Sequence, residues 1–251
     1  MQFLLNELTY RYAKKSEFVL GPLSLPIDTT GITALIGSNG SGKTTLIKVL
    51  INEFIRYTGN YTVDGNSAKD ATGSFLHRYD IGYAPEFPVL EERLTGLEIM
   101  HLIKEVHEID DEHFSRQIEE EKSALNCDEW FENTPCQECS QGMRKKISLM
   151  IALIGEPQFI IIDEPTNGLD PLASFGLKKL LAGRAEKGKG ALVSSHMLDF
   201  VERVANDVLI LKKGLMVFNG TVEHLLQHYP GKQLDEIYYT LFMDGKQGNA
   251  A

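Results

Sequence analysis

Gly37-Ser38-Asn39-Gly40-Ser41-Gly42-Lys43-Thr44 is the stretch on which the reading of this chain turns. It matches the pattern G-x-x-x-x-G-K-[ST] in full. Ahead of it, residues 32–36 (Ile-Thr-Ala-Leu-Ile) form an apolar run, and residues 43–55 follow with helical spacing. A buried strand that feeds a helix through a tight glycine-rich loop is the opening of an α/β sheet. The glycines let successive N–H groups point into one concavity, and the helix start adds the positive end of its dipole. Such a loop holds phosphates. Lys43 then reaches the β- and γ-phosphates and the Thr44 hydroxyl can bind Mg²⁺, with Thr45 beside it in the same nucleotide-contacting group.

A second stretch, Phe159-Ile160-Ile161-Ile162-Asp163-Glu164, is an apolar strand with acids at its carboxyl end. In a parallel sheet that end opens on the ligand crevice. Asp163 is suited to Mg²⁺, and Glu164, just before Pro165, to polarising an attacking water. Taken alone, a strand ending in two solvated acids fits this stretch equally well.

Outward from these two stretches, the first 30 residues alternate apolar and polar positions, punctuated by Gly21-Pro22 and Asp28-Thr29-Thr30-Gly31. They predict an antiparallel strand region. Residues 81–83 predict a short strand, and residues 94–127 a charged helical stretch with Thr95-x-x-Glu98 as a capping box. Residues 140–154 predict a helix starting at Ser140 and stopped before Pro157, and residues 171–185 another. Further short strands are expected at 191–194 and 208–211, and a tail at 244–251. No repeat or linker divides the chain. The expectation is one domain over 1–243, with a helical subdomain at about 87–155 inserted in an α/β core.

The 251 residues carry 25 basic against 35 acidic side chains, a net charge of −10, which argues against a broad nucleic-acid-binding face. No apolar run approaches the roughly 20 residues of a membrane-spanning helix; the longest, residues 147–154, is broken by Ser148. The amino terminus lacks a basic stretch and meets Glu7 early, so no secretory signal is expected, and the chain reads as a soluble protein of the cell interior. Cys136 and Cys139 form a C-x-x-C pair with Cys127 upstream, but a structural zinc site wants four ligands, and these read as unrelated thiols. His224 and His228 share a helix face with no third ligand, which reads as a solvated face. The basic triplet Arg144-Lys145-Lys146 is expected on the exposed face of its helix, too short to imply nucleic-acid binding.

With further motifs added, the chain resembles the ATP-binding cassette (ABC) ATPases over nearly its whole length. Ser140-Gln141-Gly142-Met143 is similar to the family's signature motif, Thr166-Asn167-Gly168-Leu169-Asp170-Pro171 to its D-loop, and Ser194-Ser195-His196 to its switch histidine. Tyr12 falls where the family stacks an aromatic residue on adenine, and the order and spacing agree, with His196 lying 32 residues after Glu164 (196 minus 164). The resemblance implies a P-loop NTPase with a mainly parallel central sheet, binding ATP and Mg²⁺. Tyr83-Ala84-Pro85-Glu86 is similar to the Q-loop, with Glu86 where glutamine is usual. A carboxylate there can ligate Mg²⁺ but adds negative charge beside a triphosphate.

The resemblance also implies a partner. Ser140, a plausible N-cap, lies 97 residues after Lys43 (140 minus 43). In the family the signature closes over nucleotide held by the opposite subunit, so two chains, or this chain and a paired ATPase, sandwich two ATP head to tail. His196 is then expected on the γ-phosphate and Asp170 across the interface. The 97-residue spacing, with its proline and cysteine interruptions, cannot hold the long coiled coil of repair and chromosome members. One cassette is too little for the usual translation-type arrangement. The resemblance therefore favours the ATPase subunit of a membrane transporter, on the cytoplasmic face beneath a separate permease. The contact is expected at about residues 86–130, with Glu91, Glu92 and Arg93 either docking a helix or forming a solvated acidic loop. The Ser-Gln-Gly-Met signature and short cassette lean towards the ABC-2 exporter type. The competing readings are a soluble regulatory or mechanical ABC ATPase without a membrane partner and a small-molecule P-loop kinase, which leaves the signature and D-loop unexplained.

Overall fold

The structure, a computed structural model, describes residues 1–13, 15–28, 30–70, 73–77 and 80–243. The expected tail at 244–251, and Thr29 of the second expected turn, lie outside these residues.

The amino-terminal alternation forms β1 (Gln2–Tyr10) and β2 (Leu20–Asp28), and the apolar run forms β3 (Ile32–Ile36), followed by α1 (Lys43–Leu50). Then come β4 (Tyr57–Val63), β5 (Asn66–Ser67) and β6 (Ile81–Ala84). A helical block follows: α2 (Gly96–Val106), α3 (Asp111–Ala124), α4 (Trp130–Asn133) and α5 (Gln141–Leu153). The chain continues as β7 (Phe159–Asp163), α6 (Pro171–Glu186), β8 (Gly190–Ser195) and α7 (Leu198–Val204). It closes the described part with β9 (Asp207–Lys212), β10 (Leu215–Thr221), α8 (Val222–His228) and α9 (Leu234–Met243).

Two sheets result. The first has order β2-β1-β4-β5 and is antiparallel throughout. The second has order β10-β9-β3-β8-β7-β6, parallel except for β10. β3, β7 and β8 are buried along their whole length, as strands covered on both faces must be. From β3 the chain crosses to β6 at the far edge, then returns through β7 and β8 on one side of β3 and β9 on the other. That reversal of direction at β3 leaves a crevice at the carboxyl ends of the strands.

The helix α1 lies between the sheets. Its Leu46, Val49 and Leu50 join Phe3, Leu5 and Tyr61 from the first sheet and Phe159 and Leu192 from the second in one buried cluster. Each such leucine contributes roughly 1.5–3 kcal/mol by leaving water. A second cluster ties Phe114, Phe131, Ile147 and Met150 of the helical block to Ile160 and Ile162 of β7. The site-bearing loops are thereby fixed at both ends by core.

Four differences from the sequence reading stand out. The helix after the phosphate loop ends at Leu50 rather than 55, because Asn52 takes a left-handed conformation (φ 59°) and Phe54 turns back to stack on Tyr10 at 4.8 Å. The stretch 94–127 is two helices, since Glu108 is left-handed (φ 53°) and Asp110 caps a new start through His113 N at 2.8 Å. β4 and β10 were not apparent as strands, their alternation being weak without the neighbours they pair with. The fourth concerns the basic triplet. Lys145 and Lys146 are buried rather than exposed, because α5 packs on nearly all sides.

Candidate functional site

The loop from Gly37 to Thr44 leaves β3 and enters α1 through left-handed glycines. Gly40 has φ 76° and Gly42, the N-cap of α1, φ 113°, conformations that a side chain would strain. No side chain caps α1 and its first turn holds no acid, so its amides and dipole are left for an outside anion. Ser41 Oγ is buried without a hydrogen-bond partner among the described residues, an unmet polar atom inside the phosphate loop. Lys43 Nζ arches back to donate to Gly37 O at 2.8 Å. These features fit a triphosphate.

The second half of the site is the carboxyl end of β7. Register places Asp163 opposite Ser194 of β8, and Ser194 Oγ donates to Asp163 Oδ1. Asp163 Oδ2 accepts from Thr44 Oγ1 at 2.8 Å. A hydroxyl and a carboxylate oxygen in contact form a hard oxygen donor set suited to Mg²⁺, which would neutralise charge on the phosphates. Glu164, buried and left-handed (φ 47°), takes backbone support from Ser194: its N–H donates to Ser194 Oγ at 3.0 Å. One of its carboxylate oxygens lies 3.4 Å from Lys43 Nζ and the other 2.8 Å from His196 Nδ1. Lys43, Glu164 and His196 therefore form one chain of contacts.

A cavity of about 480 Å³ opens over this centre, lined by Tyr12, Phe18, the loop from Ser38 to Thr45, Glu86 and Glu164. Tyr12 presents a half-exposed ring to it, fixed by a 2.8 Å hydrogen bond between its hydroxyl and Thr45 Oγ1. Phe54 braces that ring edge-on at 5.4 Å. Glu86 reaches the cavity from the end of β6, and its Oε1 accepts from Asn167 Nδ2 at 3.2 Å. A larger groove, about 640 Å³, lies between α3 and α6 and contains no phosphate-loop residue. The smaller cavity is the chemical one.

Ser140, Gly142 and Asp170 do not line that cavity. Ser140 caps α5, its Oγ accepting from Met143 N at 3.2 Å. Gly142 lies so close to the D-loop that a Cβ would stand 2.4 Å from Gly168 O. Asp170 caps α6 through Ala173 N at 2.9 Å and pairs with Lys146 at 2.7 Å, which holds its carboxyl below the usual range.

Sequence reasoning missed Phe18, Asn167, Ser194 and Lys145 as individual contributors. Lys145 Nζ donates to Pro85 O at 2.8 Å and to Asp163 O at 2.7 Å. Burial pushes its ammonium down to about 8 against the fields of Asp163, Glu86 and Glu164. The signal for its burial was the apolar run that follows it in α5. The three cysteines are free thiols; burial pushes Cys127 up to about 12 and Cys136 to about 11, the unreactive direction. His224 and His228 are exposed, and no cluster of three metal-binding side chains occurs among the described residues.

The ABC transporter family profile matches residues 20–167. The ABC-type transporter ATP-binding protein EcsA of Bacillus subtilis is 31% identical over 239 residues, covering 94% of each chain. The human phospholipid-transporting ATPase ABCA3 is 31% identical over 223 residues, which span 88% of this chain and 13% of that protein. A solved structure of the ATP binding subunit of an ABC transporter superimposes with a TM-score of 0.86 at 29% identity, over 96% of this chain and 100% of its own. Together with the phosphate loop and the acidic end of β7, these matches show that the chain belongs to the ABC transporter family, as an ATP-binding ATPase subunit.

Proposed function

We propose that this chain hydrolyses ATP in a head-to-tail pair of cassettes and drives a separate membrane permease. One observation supports the pairing most directly: the cavity over Lys43 lacks Ser140, Gly142 and Asp170, although α5 starts with the signature and has no acid in its first turn. A second cassette, identical or paired, would bring its own Ser140 to the nucleotide on Lys43, with Mg²⁺ on Thr44 and Asp163 and with Glu86 beside them. Each member of the pair is then one cassette over 1–243, with the helical subdomain at about 87–155. Glu164 would take the proton of the attacking water and His196 would orient that carboxylate. Mixing Lys43→Ala chains with Ser140→Arg chains should restore hydrolysis, because the heterodimer keeps one intact site. No recovery, and no ATP-dependent dimer on native cross-linking with hydrolysis blocked, would remove the sandwich.

Among the described residues no helix is long and apolar enough to cross a membrane. The segment after β6 and the outer face of α2 nonetheless expose Phe87, Val89 (96% exposed), Leu102 and Val106. We take this apolar surface as the seat of the permease contact and, on that reading, propose a position on the cytoplasmic face of the membrane. The exporter assignment rests on the Ser-Gln-Gly-Met signature and the short cassette. Val89→Asp should release the chain from purified membranes while leaving basal hydrolysis in place.

A further inference from the structure

Lys145 is a buried cation set between the ends of two strands. It is 1% exposed, and its ammonium joins Pro85 O, just beyond β6, to Asp163 O at the end of the neighbouring β7. Ala84 and Ile162 pair in that register, so one side chain from α5 fastens both strand ends. Burying an ammonium is costly unless nearby negative charge offsets it.

That charge is present. Asp163 and Glu164 are buried at the crevice, and Glu86 follows Pro85 directly. The other nearby cations have partners of their own: Lys43 faces Glu164 at 3.4 Å, and Lys146 pairs with Asp170 at 2.7 Å while donating to Asn126 O at 2.8 Å. Three carboxylates around a loop that must admit a polyphosphate repel it, and the repulsion is strong where water is excluded. We propose that Lys145 is a positioning residue whose charge compensates Glu86, allowing a carboxylate at the end of β6 to coexist with bound polyphosphate. It acts through the backbone it holds and the charge it balances, without touching the nucleotide. The inference rests on reading Glu86 as part of the nucleotide site.

The test is a double-mutant cycle with Lys145→Gln, which keeps a donor and removes the charge, and Glu86→Gln. Binding of a fluorescent ATP analogue is measured without Mg²⁺, and kcat and KM with it. Lys145→Gln is expected to weaken Mg²⁺-free binding about tenfold when Glu86 is present, and less than about threefold when residue 86 is the amide. Equal losses in both backgrounds, or no loss in either, would overturn the proposal. Lys145→Met covers a failure of folding. If Lys145→Met folds only together with Glu86→Gln, compensation is supported; if neither variant folds, Lys145 is purely structural and the proposal fails. Lys43→Ala is the control for the site: undiminished binding there would remove the nucleotide site itself, whatever the cycle shows.

Discussion

The Lys43 ammonium stands 3.4 Å from one oxygen of Glu164 while His196 holds the other at 2.8 Å. The lysine of the phosphate loop and the carboxylate at the end of β7 are thus partners, and on the proposed mechanism a phosphate arriving at Lys43 would compete with Glu164 for the same cation and would free the carboxylate towards water.

Glu164→Gln should therefore lower phosphate release by at least about a hundredfold, the usual range for losing a general base. Nucleotide affinity should hold or rise, because a neutral amide no longer competes for Lys43. Phosphate release and equilibrium binding measured on the same preparation check both halves; parental turnover would take Glu164 out of the mechanism.

Ser194 supports both acids, donating to Asp163 Oδ1 and accepting from Glu164 N at 3.0 Å. Ser194→Ala should raise the Mg²⁺ concentration for half-maximal hydrolysis about tenfold, as loss of a hydrogen bond to a metal ligand does. A titration of Mg²⁺ at saturating ATP is the measurement, and an unchanged midpoint would contradict it.

Tyr12 lines the cavity, and its hydroxyl is hydrogen-bonded to Thr45 Oγ1. Tyr12→Ala should raise KM for ATP about tenfold through lost stacking, and Tyr12→Phe should stay within about threefold. Equal effects of the two would mean that the hydroxyl, and not the ring, matters.

Glu121 of α3 is buried, with Oε1 accepting from Gln117 Nε2 at 2.7 Å and Oε2 without a partner among the described residues. Burial pushes its carboxyl from 4.5 up to about 8. The folded chain therefore keeps a proton that the unfolded chain has lost, and stability falls as pH rises between about 4.5 and about 8. Glu121→Gln should flatten that slope and raise the melting temperature at pH 8.5 by on the order of 5 °C. Thermal unfolding at pH 6 and 8.5 compares the two chains; parallel curves would show that Glu121 is not the titrating group.

The phosphate loop and the acidic strand end were legible in the residues because both depend on near neighbours. Gly40 and Gly42 permit left-handed turns wherever they occur, and Ile160, Ile161 and Ile162 admit no face to water. Lys145 was misread for a corresponding reason. A helix position is assigned to the surface by polarity, and α5 buries Lys145 and Lys146 by giving each a carbonyl from elsewhere in the fold.

Which groups meet was settled by strand order. Thr44 and Asp163 are 119 residues apart, and Ser194 and Asp163 are 31 apart. Their contacts exist because β3, β8 and β7 are adjacent and in register, a consequence of packing α1 and the helical block on opposite faces of the sheet. Local residue types define the chemistry available: a glycine-rich loop with a lysine, a hydroxyl, two acids and a histidine. Long-range pairing defines the wiring, in which Glu164 holds Lys43, Lys145 fastens two strand ends, and Asp170 is taken up by its own chain. Chain adjacency constrains a few residues at a time, whereas register and burial act on the whole sheet at once.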